Sequence, residues 1–295
     1  MTPIDYDFLR QILKQRSGLV LSADKHYFLE SRLLPLARRK GFAGVGDLVV
    51  ALKTGRDAAL IAAVVETMTT NESFFFRDKT PFEHFRRIIM PALLDARRQC
   101  RAIRIWCAAA AGGQEPYSIA MCLREMTSAV AGWRIEILAT DLADAVLDRA
   151  RQGLYSQFEV QRGLPIKLLV KYFTQVGELW QIAPEIRDMV KFRCFNLLSD
   201  FAALGSFDLI LCRNVLIYFD QETKSDVLHR MAEAMPSDGY LVLGAAETAV
   251  GLSDRFRMVS DRPGLYEINA PKAHLPAQDR RIYGRPRLIA ISGGR

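Results

Sequence analysis

Apolar residues in the first 68 positions recur at intervals of three and four. IDYDFLRQIL, HYFLESRLLPLA, DLVVAL and ALIAAVVETM each carry this spacing, which predicts amphipathic helices, with Gly18, Gly41 and Gly55 as their stops. Ser22 is placed to cap the second helix, and Arg38, Arg39 and Lys40 fall at its C-terminal end. The pattern breaks at TMTTNESFFFRD (67–78), where polar residues surround three phenylalanines and an arginine. A further helix is predicted over roughly 79–98. From Ile103 onward β-rich runs alternate with helical stretches: IRIWC then PYSIAMCLREM, RIEILATD then ADAVLDRARQG, FDLILCRN then QETKSDVLHRMAEAM, and finally GYLVLGAAE. That alternation predicts parallel β-α-β units in a doubly wound α/β sheet.

KYFTQVGELWQIAPEIRDMVKFRCF (171–195) holds short β-like runs around turn residues and no amphipathic helix. It reads as a small antiparallel insertion, with the sheet resuming at Phe207. The chain so divides into a helical unit with its linker (1–78), an α/β unit (79–269) and a Pro-, Arg- and Gly-rich tail (270–295) that reads as disordered.

Composition narrows the function classes. Five cysteines without a CxxC pair favour reduced thiols in a cytoplasmic protein, and four scattered histidines show no metal-ligand spacing, so no metal is expected. No apolar run approaches the ~18–20 residues of a membrane span, and MTPIDYDFLRQ lacks the pattern of a signal peptide. The net charge of +7 resides mostly in the tail, where Lys272, Arg280, Arg281, Arg285, Arg287 and Arg295 face Asp279 alone. The body is nearly neutral, which argues against a nucleic-acid partner. The local cluster Arg38-Arg39-Lys40, with Arg32 nearby, serves either its own helix dipole or an acidic partner.

In an open parallel sheet, ligands bind beyond the carboxyl ends of the strands. Three segments fall there: the turn after IRIWC, the acid ending RIEILATD, and the CRN ending FDLILCRN. Asp141 is suited to ribose hydroxyls, or alternatively to capping the helix that follows. The turn IWCAAAAGGQEPYSIAM is neither G-x-G-x-x-G nor a phosphate loop, and it carries Glu115 where a phosphate would be repelled. A ligand with an ammonium and a sulfonium suits that acid, and S-adenosylmethionine has both. The alternative is that Glu115 and Pro116 only stabilise their helix start.

The chain resembles the CheR-type chemotaxis receptor (protein-glutamate) O-methyltransferase family over roughly residues 4–268. The resemblance rests on TTNESFFFRD, IWCAAAAGGQEPYSIAM, ILATDLADAVLDRARQGLYS, FNLL, FDLILCRNVLIYF and SDGYLVLGAAE, in that order and spacing. It implies an N-terminal all-helical domain, a Rossmann-like S-adenosylmethionine-dependent methyltransferase domain and a small antiparallel β-subdomain insertion. Carried over residue by residue, cofactor contacts fall on Asn71, Ser73, Arg77, Glu115, Asp141, Asn196, Leu197, Arg213 and Asn214, with Tyr218 beside the methyl-transfer site. The family usually reads S-T-G-E-E-P where this chain has Ala111-Gly112-Gly113-Gln114-Glu115-Pro116, so a Ser, a Thr and the first acid are absent. Ser73 stands where Thr is common.

The implied activity is methyl transfer to glutamates of chemoreceptors, leaving S-adenosylhomocysteine. A glutamate with pKa near ~4.3 is already a nucleophile at neutral pH, so no general base is required. Arg77 is the candidate to orient that carboxylate, with a surface role as its alternative. Tyr218 either hydrogen-bonds near the reacting groups or packs. Arg32, Arg38, Arg39 and Lys40 are candidates to meet an acidic receptor helix, and the β-subdomain is a candidate dock for a C-terminal receptor tether. The resemblance also implies a cytoplasmic monomer recruited to receptor arrays. Two other classes stay open: a non-catalytic S-adenosylmethionine sensor or scaffold, favoured by the altered turn, and a nucleic-acid amino-methyltransferase. Asn214-Val215-Leu216 lacks the prolines usual in the latter.

Overall fold

Four helices, α1 (Pro3–Ser17), α2 (His26–Arg39), α3 (Val45–Thr54) and α4 (Ala58–Met68), open the computed structural model, which describes residues 1–22, 24–55 and 57–269. Their apolar stripes meet around Leu9, Leu13, Leu29, Leu33, Leu48 and Val64, all fully buried. A Thr2–Asp5 capping box starts α1, and Gly18 ends it in the left-handed region. Ser22 does not cap α2. That helix starts after Lys25 without a side-chain cap, while the Ser22 hydroxyl bonds Asp24 and its carbonyl accepts from the Tyr6 hydroxyl at 2.7 Å. Tyr6 and Arg10, whose Nε donates to the Leu21 carbonyl at 2.7 Å, fasten this connection back onto α1 and draw Ser22 away from the helix start. The expectation for the 270–295 tail lies outside the described residues.

The helix expected over 79–98 comprises α5 (Thr80–His84), a π-helical turn (Phe85–Ile89) and α6 (Met90–Ala96). Pro91 has no N–H to give a carbonyl in the preceding turn, and the π turn beside it absorbs the mismatch.

The α/β unit then runs β1 (Ala102–Ala108), α7 (Gln114–Glu125), α8 (Thr127–Val130), β2 (Arg134–Asp141), α9 (Asp144–Gln152), β3 (Leu154–Ser156), α10 (Gln157–Gln161), α11 (Ile166–Tyr172), β4 (Phe173–Val176), β5 (Leu179–Ile182), α12 (Pro184–Arg187), β6 (Val190–Cys194), β7 (Leu209–Cys212), α13 (Gln221–Glu233), β8 (Tyr240–Leu243), β9 (Phe256–Met258) and β10 (Leu265–Ile268). Seven strands form one sheet in the order β6-β2-β1-β7-β8-β10-β9, parallel from β6 to β8 and antiparallel at β10 and β9. Strand periodicity sorts β1 between two cores: Ile103, Ile105 and Cys107 to one face, Trp106 and Ala108 to the other. Strand order reverses between β1 and β7, so a crevice opens at their carboxyl ends.

The insertion differs from the expected one. The small antiparallel sheet is β3-β5-β4, and β6 leaves it to pair in parallel with β2, with Val190 opposite Ile137 and Cys194 opposite Asp141. As an edge strand, β6 buries only Val190 of its five residues, so its sequence lacks the continuous apolar run of the inner strands.

One buried hydroxyl ties the linker to the sheet unit. Ser118 of α7 accepts from the Phe76 N–H at 3.0 Å and donates to the Gln114 carbonyl at 2.6 Å, with no exposure. Ser118→Ala leaves the Phe76 amide buried without a partner, which should cost about 1–3 kcal/mol. Urea unfolding of the full chain measures this, and an unchanged midpoint would contradict the assignment.

Candidate functional site

A cleft of about 940 Å³, including space open to solvent at its mouth, lies over the carboxyl ends of β1, β2 and β7. That is ample for a nucleoside-sized ligand. It is lined by all ten residues expected at the cofactor and methyl-transfer site: Asn71, Ser73, Arg77, Glu115, Asp141, Asn196, Leu197, Arg213, Asn214 and Tyr218. Arg32, Arg38, Arg39 and Lys40 do not line it.

The walls are built from backbone held in uncommon conformations. Eight non-glycine residues among those described have positive φ; three of them, Ala109, Ala111 and Asn214, line the cleft, and Phe76 and Asp78 flank the lining residue Arg77 in the chain. Such residues cost of order 1–3 kcal/mol each, so their surroundings must hold them. Asp141 at the end of β2 holds two parts together. Its Oδ2 accepts from the Ala111 N–H at 2.9 Å and its Oδ1 from Ala143 at 3.0 Å. Ala143 occupies the N-cap position of α9 without a side-chain cap, so Asp141 braces the turn before that helix rather than serving as its N-cap residue. Burial pushes the Asp141 carboxyl above the usual aspartate range, with the Ala143, Ala111 and Leu142 amides pulling against it. Each carboxylate oxygen has capacity for a second hydrogen bond, so the group can still receive hydroxyls from a ligand.

Glu115, in the first turn of α7, is 8 % exposed, and its Oε2 meets Arg213 Nη1 at 2.5 Å. Burial raises its pKa and the Arg213 guanidinium opposes the rise. Arg213, itself 5 % exposed, also donates through Nη2 to the Asp78 carboxylate at 2.7 Å and the Arg77 carbonyl at 2.9 Å. Two carboxylates thus share one guanidinium, and this end of the cleft keeps a negative surplus. Glu115 Oε1 makes no hydrogen bond among the described residues, and the buried Arg213 Nε has no partner there. The site suits a cation and repels phosphate.

Arg77 donates from Nη1 to the Glu72 carbonyl at 3.1 Å, and its guanidinium lies 5.6 Å from the Phe74 ring centre. Arg162 stacks on the same ring at 4.4 Å and pairs with Glu72 at 2.7 Å. The linker itself therefore aims Arg77. Asn71 Nδ2 donates to Thr69 Oγ1 at 3.2 Å. Asn196 is committed on both sides: Nδ2 donates to the Arg16 carbonyl at 2.6 Å and Oδ1 accepts from the Leu198 N–H at 2.9 Å. The Tyr218 hydroxyl makes no hydrogen bond among the described residues, although the residue sits in the 3-10 turn Leu216–Tyr218 at the cleft. Arg32 donates to the Thr69 carbonyl at 3.1 Å and stacks on Phe28 at 4.6 Å, so it fastens α2 to the start of the linker. Arg38, Arg39 and Lys40 are exposed. Burial pushes the thiols of Cys107 and Cys212 well up and that of Cys122 to about 12, which leaves all three protonated.

Sequence reasoning missed Glu247. Its carboxylate accepts four backbone N–H groups: Asn214 at 2.8 Å, Val215 at 2.9 Å, Ile217 at 3.3 Å and Gly244 at 2.7 Å. A side chain at Gly244 would come within 2.6 Å of Glu247 Oε2, so glycine there makes room for the cage. The available signal was an acid just beyond the buried run YLVL, at the same end of the sheet as Asp141. Ser17 and Leu19 also line the cleft and come from the helical unit, where no pattern pointed to a ligand. Glu247→Gln replaces one acceptor oxygen by a donor facing these amides. Hydrogen exchange of the Asn214, Val215 and Gly244 amides should quicken about tenfold or more, as expected for ~1–3 kcal/mol of lost local stability. Unchanged exchange would show that the cage does not hold the loop.

Residues 71–265 match the family described as CheR methyltransferase, SAM binding domain, and residues 4–69 match CheR methyltransferase, all-alpha domain. Chemotaxis protein methyltransferase 1 of Pseudomonas aeruginosa is 40% identical over 265 residues, which cover 88% of this chain and 96% of that protein. Chemotaxis protein methyltransferase 1 of Vibrio cholerae is 39% identical over 262 residues, covering 88% of this chain and 94% of that protein. With both of its units matched, in order and almost end to end, the chain belongs to the CheR methyltransferase family.

Proposed function

We propose that this chain transfers a methyl group from S-adenosylmethionine to glutamate side chains on chemoreceptor cytoplasmic helices, leaving S-adenosylhomocysteine. The observation that carries this reading is the shared Arg213: Glu115 and Asp78 both lean on one guanidinium, so the cleft retains charge for a cationic amino acid end. Asp141, which lines the same cleft, keeps lone pairs for ribose hydroxyls. When bound, S-adenosylmethionine supplies an electrophilic methyl on a sulfonium. The chain's residues need only orient an ionised glutamate and exclude water, because the carboxylate is its own nucleophile. Arg77 is placed for the first task, and Tyr218 stands at the same cleft.

The altered turn keeps the geometry of a cofactor site rather than that of a degraded one. Ala109 and Ala111 hold the left-handed conformations, and the Ala111 amide still reaches Asp141. The segment after Asn214 is pinned by Glu247 through Val215 and Ile217, which disfavours the open, proline-lined slot of a base amino-methyltransferase. The names of the relatives, chemotaxis protein methyltransferase, support a receptor as substrate. Exposed Arg38, Arg39 and Lys40 then meet its acidic helices, and the small sheet β3-β5-β4 receives a receptor tether peptide. We further take the chain to act as a monomer recruited to cytoplasmic receptor arrays. No described helix is long and apolar enough to cross a membrane.

Incubation with methyl-labelled S-adenosylmethionine and chemoreceptor cytoplasmic fragments should give label released as methanol by mild base. Binding of S-adenosylhomocysteine without transfer to any such fragment would favour the sensor reading. A pH titration gives a second test. Asp141 and Glu115 have raised pKa values, so they hold protons that an unfolded chain has already lost. They therefore cost stability as pH rises through their titration, and serve a ligand only above it. As pH is lowered, the affinity for S-adenosylhomocysteine should begin to fall above the ordinary aspartate range near ~4. Asp141→Asn should bind weakly with a flatter profile. A wild-type affinity that is constant down to that range would contradict the assignment of both acids.

A further inference from the structure

We infer that Arg162 is a positioning residue for methyl transfer: it holds the Glu72 carboxylate away from Arg77, which leaves the Arg77 guanidinium for the substrate glutamate. This role rests on the proposed transfer to glutamate and deepens it. Glu72 and Arg77 both line the cleft, whereas Arg162 does not. Among the described residues, Arg77 makes one side-chain hydrogen bond, from Nη1 to the Glu72 carbonyl at 3.1 Å. Its remaining N–H donors are open to a carboxylate. The residue that supplies this carbonyl is itself a glutamate, with a carboxylate of the same chemistry as the substrate's. That carboxylate is turned to Arg162, whose Nη1 donates to Glu72 Oε1 at 2.7 Å. The Arg162 hydrogen bond and charge hold the Glu72 carboxyl below the usual glutamate range, with a smaller pull from the Arg77 charge.

Arg162 is fixed for this task from its own helix. It ends α10, where its N–H donates to the Phe158 carbonyl at 3.2 Å, and α10 starts on a Ser156–Glu159 capping box. Gly163 follows in the left-handed region (φ 85°), and the Phe75 carbonyl lies against it where a Cβ would have no room. The linker backbone therefore rests directly on the residue after Arg162. Between the two arginines stands Phe74, with the Arg162 guanidinium 4.4 Å and the Arg77 guanidinium 5.6 Å from its ring centre. Among the described residues, Glu72 is the one carboxylate that pairs with either. The pair is 64 % exposed at Glu72 and 40 % at Arg162, too open to contribute much to stability, so holding the fold is not its main effect. With Arg162 removed, Arg77 is the remaining cation that draws Glu72. A carboxylate five residues away in the same linker then competes with the substrate at high effective concentration.

The test is steady-state transfer by the full chain from methyl-labelled S-adenosylmethionine to the chemoreceptor cytoplasmic fragments. No transfer by the wild type overturns the functional reading and this inference with it. Where the wild type transfers, Arg162→Met should lower kcat/KM for the fragment about five- to tenfold, while calorimetric affinity for S-adenosylhomocysteine stays within about twofold. Adding Glu72→Gln removes the competing carboxylate and should recover most of the loss, with Glu72→Gln alone as the reference. A merely structural pair would give no such recovery. Arg162→Lys keeps a charge for Glu72 and should retain about half or more of the wild-type value. An Arg162→Met protein with wild-type kcat/KM overturns the inference. So does a loss that Glu72→Gln leaves in place, or one matched by an equal fall in S-adenosylhomocysteine affinity.

Discussion

The architecture of the site depends on a single buried guanidinium. Arg213 stands at the end of β7 with a side chain only 1 % exposed, and it reaches Glu115 at the start of α7 and Asp78 and the Arg77 carbonyl in the linker. A charge buried this deeply is tolerated only when its partners are in place. The linker must therefore fold against the sheet for the sheet's own arginine to be satisfied. That requirement sets Arg77, Ser73 and Asn71 at the cleft, and the Ser118 hydroxyl secures the same linker through Phe76.

The acids of the cleft share a design. Asp141 and Glu247 each accept backbone amides before any ligand is considered, and each holds one residue in the left-handed conformation, Ala111 for Asp141 and Asn214 for Glu247. The strained non-glycine positions are in this way held by side-chain carboxyls, alongside the left-handed Gly113 in the turn after β1. This explains how the turn after β1 can be written Ala-Ala-Ala-Ala-Gly-Gly-Gln and still present Glu115 and Asp141 at one cavity.

Much of this was legible in the sequence, for physical reasons. The strands of the sheet's interior are buried on both faces, so they appear as continuous apolar runs, and their carboxyl ends mark where chemistry lies. The order of motifs placed ten residues that do line one cleft. What was misread depends on tertiary partners. Whether β6 belongs to the main sheet or the small one is decided by its pairing with β2, not by its own half-exposed pattern. Ser22 has the residue type of a cap but is drawn off by the fastening of its loop to Tyr6 and Arg10. Arg32 has the look of a surface cation but is half-buried, with Nη1 on the Thr69 carbonyl at the start of the linker. Glu247 reaches the cleft-lining Asn214 loop, and the 17–19 segment the cleft itself, across more than 25 and 190 intervening residues respectively, and no local periodicity reports such contacts.

The central claim is that this cleft takes S-adenosylmethionine with its ribose at Asp141 and its amino acid end toward Glu115 and Arg213. The most direct test is a crystal structure of the full chain with S-adenosylhomocysteine. The account predicts ribose hydroxyls within hydrogen-bond distance of the Asp141 carboxylate and the ligand's ammonium on the Glu115 side, with the Arg213 pairings intact. A ligand bound elsewhere, or bound here in the reverse direction, would contradict it.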